Sequence, residues 1–132
     1  MTHARTTLVL TFAAGILLGV LGMNFSNAQD QSVKRTGLLR VDLASVEGRE
    51  AIAYIADLAP GAGISKHSSH GDEFVYILEG AYIVEVVGKE PITLKRGEVA
   101  YLPSTMVHSD RNASTSKPTK VLVFAVAEKG KS

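Results

Sequence analysis

Short apolar stretches, each closed by glycine, proline or a polar turn about every 8–12 residues, run from Gly37 to Val126 and restrict the chain to a β architecture. Ala51–Leu58 sets Ile52, Tyr54, Ala56 and Leu58 on one face at a period of two, the spacing of a half-buried strand. Its alanines would also suit a weak helix, but its short length and the Pro60-Gly61 pair after it favour a strand. Further strands are expected over Leu38–Leu43, Phe74–Leu78, Tyr82–Val87, Pro91–Gly97, Val99–Leu102 and Val121–Val126, with turns at Glu47–Glu50, Gly80 and Gly88–Pro91. Ser109–Pro118 (SDRNASTSKP) has the composition of a loop. No internal repeat is visible, and the pattern predicts an all-β sandwich or barrel.

The first residues obey a different rule. His3 and Arg5 precede an uncharged run with the fifteen-residue apolar centre LVLTFAAGILLGVLG, Leu8–Gly22, and then Ser26-Asn27-Ala28. A basic start, an apolar middle and a small-x-small end describe a secretory signal peptide over residues 1–28, so the mature chain is expected to be periplasmic or secreted from a bacterium. The competing reading is an uncleaved anchor helix in the inner membrane. As a helix the apolar centre would span only ~22 Å of a ~30 Å hydrocarbon layer, which favours cleavage. A flexible polar leader is expected at 29–36, the folded domain over 37–127 and a polar tail at 128–132.

Cleavage after Ala28 would leave 132 − 28 = 104 residues, enough for one hydrophobic core. It would also remove Arg5 and leave 13 Lys+Arg against 13 Asp+Glu. The remaining cations are scattered, so no nucleic-acid partner is expected. There are no cysteines, so stability rests on the apolar core rather than on disulfides.

The chemistry-bearing residues are concentrated in two stretches. Gly61–Gly80 (GAGISKHSSHGDEFVYILEG) carries His67, His70 and Glu73, and Gly97–Asn112 (GEVAYLPSTMVHSDRN) carries His108. Imidazole nitrogens with one carboxylate suit a divalent transition metal, and two histidines plus a carboxylate leave positions open for substrate or O₂. His67 and Glu73 belong to one hairpin region and His108 to a distant strand, so a barrel or sandwich interior is needed to unite them. Asn112 suits a turn cap, and the four tyrosines suit core, interface or pocket wall.

These stretches resemble the cupin motifs. The first family motif is Gly, five residues, His, one, His, three or four, Glu, six, Gly; Gly61, His67, Glu73 and Gly80 stand at those spacings. The second is Gly, five residues, Pro, one, Gly, two, His, three, Asn; it is matched by Gly97, Pro103, His108 and Asn112. Sixteen residues separate the motifs, as in small single-domain bacterial members. Ser69 replaces the second histidine and Thr105 the middle glycine, and His70 follows Ser69 directly.

The resemblance implies a double-stranded β-helix, or jelly roll. It also implies a metal (Fe, Mn, Ni, Cu or Zn) held by His67, Glu73 and His108, with His70 in place of the missing histidine. Functions open to such a chain are oxygenase-like chemistry on a small organic molecule, non-enzymatic ligand binding or sensing, and a structural jelly roll with a degenerate site. Ile83 and Val87 alternate with inward positions, which leads to the expectation of a partly apolar outer face and a homodimer.

Overall fold

The two longest period-two patterns, in Arg49–Leu58 and Thr119–Glu128, pair with each other along their full length and form the backbone of the larger sheet. The computed structural model describes residues 32–131, and among these every regular element is a strand. The signal peptide or anchor expected over 1–28 lies outside the described residues.

The strands are β1 (Val33–Asp42), β2 (Arg49–Leu58), β3 (Gly63–His67), β4 (Gly71–Glu79), β5 (Ala81–Val86), β6 (Ile92–Lys95), β7 (Val99–Leu102), β8 (His108–Asn112) and β9 (Thr119–Glu128). They form two antiparallel sheets, ordered β1-β2-β9-β4-β7 and β3-β8-β5-β6. Leu58, Ile77, Val84 and Val121 fill the space between the sheets, each at most 1% exposed. Burial of a side chain of this kind contributes about 1.5–3 kcal/mol.

Several boundaries differ from the sequence expectation: Arg49 and Glu50, expected in a turn, open β2, Glu128, expected in the tail, closes β9, and two further differences bear on the interior. Residues 33–36, expected in the flexible leader, belong to β1: Val33 enters the core and Lys34 pairs in register with Asp57. Residues 109–112, expected in a loop, belong to β8. Its inward row, His108, Asp110 and Asn112, is polar, so hydrophobic periodicity does not register it.

The β4–β5 hairpin turns at Gly80, whose φ is +79° and whose missing Cβ would sit 2.5 Å from Thr119 Oγ1 and 2.8 Å from Pro118 O. Neither the conformation nor the space admits a side chain. The outer face of the larger sheet is apolar. Phe74 packs against Tyr101 and Phe124 at ring-centroid distances of 5.1 and 6.5 Å, and Leu39, Val41 and Tyr76 are exposed on the same sheet. On the smaller sheet Ile83 is half-buried and Val87 is exposed.

Candidate metal centre

A bulge delivers the first candidate donor. β3 pairs with β8 as Gly63↔Arg111 and Ile64↔Asp110, then as His67↔His108, so one extra residue lies on β3 between Ile64 and His67. In an unbroken strand, the residue three after Ile64 would point to the opposite face. The bulge turns His67 back to the inward side, opposite His108. Their rings meet at a centroid distance of 4.5 Å and an angle of 58°.

Each imidazole is oriented by its own strand. His67 Nδ1 lies 2.8 Å from Ser65 O, and His108 Nδ1 lies 3.1 Å from Met106 O. A carbonyl only accepts, so both Nδ1 atoms carry the proton and both Nε2 atoms present a lone pair. Backbone bonds of this kind fix tautomer and ring direction in metal-ligating histidines.

Asp110 follows two residues after His108 on the same inward row. Its Oδ2 lies 3.5 Å from His108 Nε2, and the two residues are 5% and 1% exposed. Neither His108 Nε2 nor Asp110 Oδ1 has a hydrogen-bond partner. A lone pair and a carboxylate facing each other in a dry interior repel unless a cation lies between them. Burial, first of all, pushes the Asp110 carboxyl up from 3.8 to about 6; the His108 and His67 imidazoles pull it down, Glu73 pushes it up and the Tyr82 hydroxyl pulls it down.

The donor atoms of His67, His108 and Asp110 all lie within 4.8 Å of one another. Ligands on a four-coordinate ion at ~2.1 Å are about 3.4 Å apart, close to the His108–Asp110 separation. The residues present therefore fit a divalent metal.

Of the expected site residues, the fold brings together His67 and His108. Glu73 projects inward from β4 and lines a cavity of about 340 Å³ with His67, Tyr54 and Ile52. His70 is exposed on the bend between β3 and β4, at the rim of that cavity beside Ser69. Both lie outside the converging three-residue group. The donor that sequence reasoning missed is Asp110, although the His-x-Asp spacing of a strand face was present as a signal.

Residues 54–125 match the family model described as Cupin domain, a span that contains His67, Glu73, His108 and Asp110. The chain is a cupin. A cupin superfamily protein of Desulfitobacterium hafniense superimposes with a TM-score of 0.61 at 19% identity, covering 73% of this chain and 78% of that one. A protein of Thermus thermophilus gives 0.58 at 27% identity over 74% and 85%. A cupin-like protein of Thermotoga maritima gives 0.60 at 22% identity over 75% and 77%. These likenesses show the fold. Among curated proteins none matches the chain. This cupin thus has the barrel of its family, with a His-His-Asp group inside it.

Proposed function

We propose that this cupin holds a divalent transition metal between Nε2 of His67, Nε2 of His108 and the Asp110 carboxylate, and takes a small organic molecule beside it. The observation that carries the reading is the pair of buried acceptors on His108 and Asp110 with no donor between them. Glu73 is the candidate further donor, and His70 could join only through a change in its exposed bend. A metal bound there, with Fe, Mn, Ni, Cu and Zn as the candidates, supplies Lewis acidity and, for a redox-active ion, electron transfer.

The residues around it have roles of their own. The Ser65 and Met106 carbonyls hold the two imidazoles in one tautomer. Ile52, Ala125 and Ala127 give the cavity apolar walls, while Tyr54 and Glu73 supply polar groups to it. Burial, then the nearby Glu73 carboxylate, raises the Tyr54 hydroxyl, so it stays a neutral donor at physiological pH.

Oxygenase-like chemistry is the enzymatic form of the proposal. Ligand binding or sensing without turnover is the second form. Oxygen consumption with phenolic and thiol compounds separates the two. Metal analysis of protein purified without chelators tests both, with near one metal per chain expected and a metal-free protein that takes up none overturning them.

The proposal includes export with cleavage after Ala28, checked by N-terminal sequencing of periplasmic protein, where an intact Met1 in membranes would refute it. It also includes a homodimer through the apolar face around Phe74 and Phe124, checked by light scattering of the wild type and Phe124→Ser.

A further inference from the structure

β1 lies outside the part of the chain that matches the family model, yet it contributes two arginines to the cavity that holds His67 and Glu73. Arg35 and Arg40 are five residues apart, and a regular strand would put them on opposite faces. The register explains why they share one. β1 pairs with β2 as Gly37↔Tyr54 and then Leu39↔Ala53, leaving Leu38 as an extra residue. This bulge shifts the alternation, so that Arg35 lies opposite buried Ala56 and Arg40 opposite buried Ile52, both on the inward side.

The two guanidinium groups are in different electrostatic states. Arg40 Nη1 is 2.9 Å from Oε1 of Glu50, a carboxylate whose side chain is 4% exposed, and its charge is matched there. Arg35, exposed at the mouth of the cavity, lies close enough to the Tyr54 hydroxyl to act on it electrostatically and, among the described residues, has no carboxylate oxygen within 4.0 Å. Its guanidinium presents five N–H donors in a planar fork.

His108, Asp110 and Glu50 lie outside the lining of the cavity, but their charges bear on it. A dication would be balanced by Asp110 and Glu73, and Arg40 is balanced by Glu50. Arg35 leaves one positive charge over. A planar fork of donors with one unmatched charge suits a carboxylate, which it can grip with two parallel hydrogen bonds. The remaining wall, from Ile52, Ala125 and Ala127, is apolar, and a volume of about 340 Å³ is at the small end of ligand pockets.

We propose that the organic molecule taken by this site is a small monocarboxylate, its carboxylate on Arg35 beside Tyr54 and its apolar body against Ile52, Ala125 and Ala127, directed toward the His-His-Asp group. The inference rests on the functional reading above for its metal end and on β1 alone for its carboxylate end.

The test is calorimetric titration of the metal-loaded mature protein with butyrate, 4-methylpentanoate and benzoate, each beside the neutral amide of the same skeleton, and with phenyl phosphate as a dianion. At least one acid should bind ten-fold or more tighter than its amide and tighter than phenyl phosphate. Arg35→Gln should remove that preference while keeping its metal content and melting temperature, and Arg35→Lys should restore part of it. Equal binding of acids and amides, stronger binding of the phosphate, no binding of any acid up to about 10 mM, or acid binding unchanged in Arg35→Gln would each overturn the proposal. The last result would mean that the acid is held by the metal alone. If the wild type takes up no metal, the functional reading fails by itself; the same comparison on metal-free protein still decides the role of Arg35.

Discussion

β8 carries three polar side chains into the interior, and their fates differ. Asn112, at one end, is fully satisfied: its Nδ2 reaches the carbonyls of Leu58, Ala59 and Lys117 at 3.3, 3.1 and 2.8 Å. Its Oδ1 accepts from Ser114 N at 2.9 Å and from the Thr119 hydroxyl at 2.8 Å. His108 and Asp110, on the same face of the same strand and buried to a similar degree, keep a nitrogen and an oxygen with no partner. Burial of a polar side chain therefore does not by itself mark a functional group. An unmet hydrogen-bonding capacity does, because folding leaves it uncompensated unless something else uses it. Asn112 ties loops together, whereas His108 and Asp110 keep the capacity that the proposed cation would use.

The sharpest way to break this comparison is Asn112→Ala. It orphans several buried groups at once and should cost about 3 kcal/mol of stability, read by urea unfolding of the metal-free protein. In Asp110→Asn the order of effects reverses. At neutral pH the metal-free variant should be at least as stable as the wild type, because a buried charge has gone, while metal affinity should fall more than ~100-fold. If Asp110→Asn destabilised the metal-free protein as much as Asn112→Ala, the two residues would both be structural.

A pH series sharpens the same contrast. The folded Asp110 carboxyl sits at about 6 against an ordinary 3.8, so the folded chain holds this proton more tightly than the unfolded one. Its contribution to stability is full below about pH 4 and is lost as pH rises through about 6. Metal-free wild type should therefore lose stability relative to Asp110→Asn over that window in paired urea melts, and a constant difference would contradict it. Metal binding should run the other way and weaken as pH falls through about 6, since protons compete for the donors. Two smaller effects close the series. Glu73→Gln should weaken the metal about ten-fold, and His70→Ala, on its exposed bend, by less than that. A larger loss in His70→Ala, with little gain from Ser69→His, would place His70 among the donors.

Much of the fold was legible because its determinants are local. Gly80 and the alternation through Ala51–Leu58 announce the hairpin and the long strand by residue type alone. His67 and His108, which the fold brings together, were legible through their spacing from glycines and a proline. Asp110 was not, because the inward row of β8 is polar and the stretch after it reads as a loop. The inward placing of Arg35 with Arg40 was hidden for a related reason. Alternation assumes an unbroken register, and the extra residue at Leu38 becomes visible only once β1 is paired with β2.

His67 and His108 come from strands separated in sequence by β4 through β7, and they meet only through the pairing of β3 with β8. An unfolded chain has the donors but not the site. Loading with the proposed metal would therefore follow folding, and the ion chosen would be the one on offer where folding is completed rather than where the chain is made. Raw affinity would favour copper over manganese or iron almost anywhere. Were the chain exported as proposed, and folded only after crossing a membrane, the supply of metal on the far side would become part of its specification, as surely as any residue in the barrel.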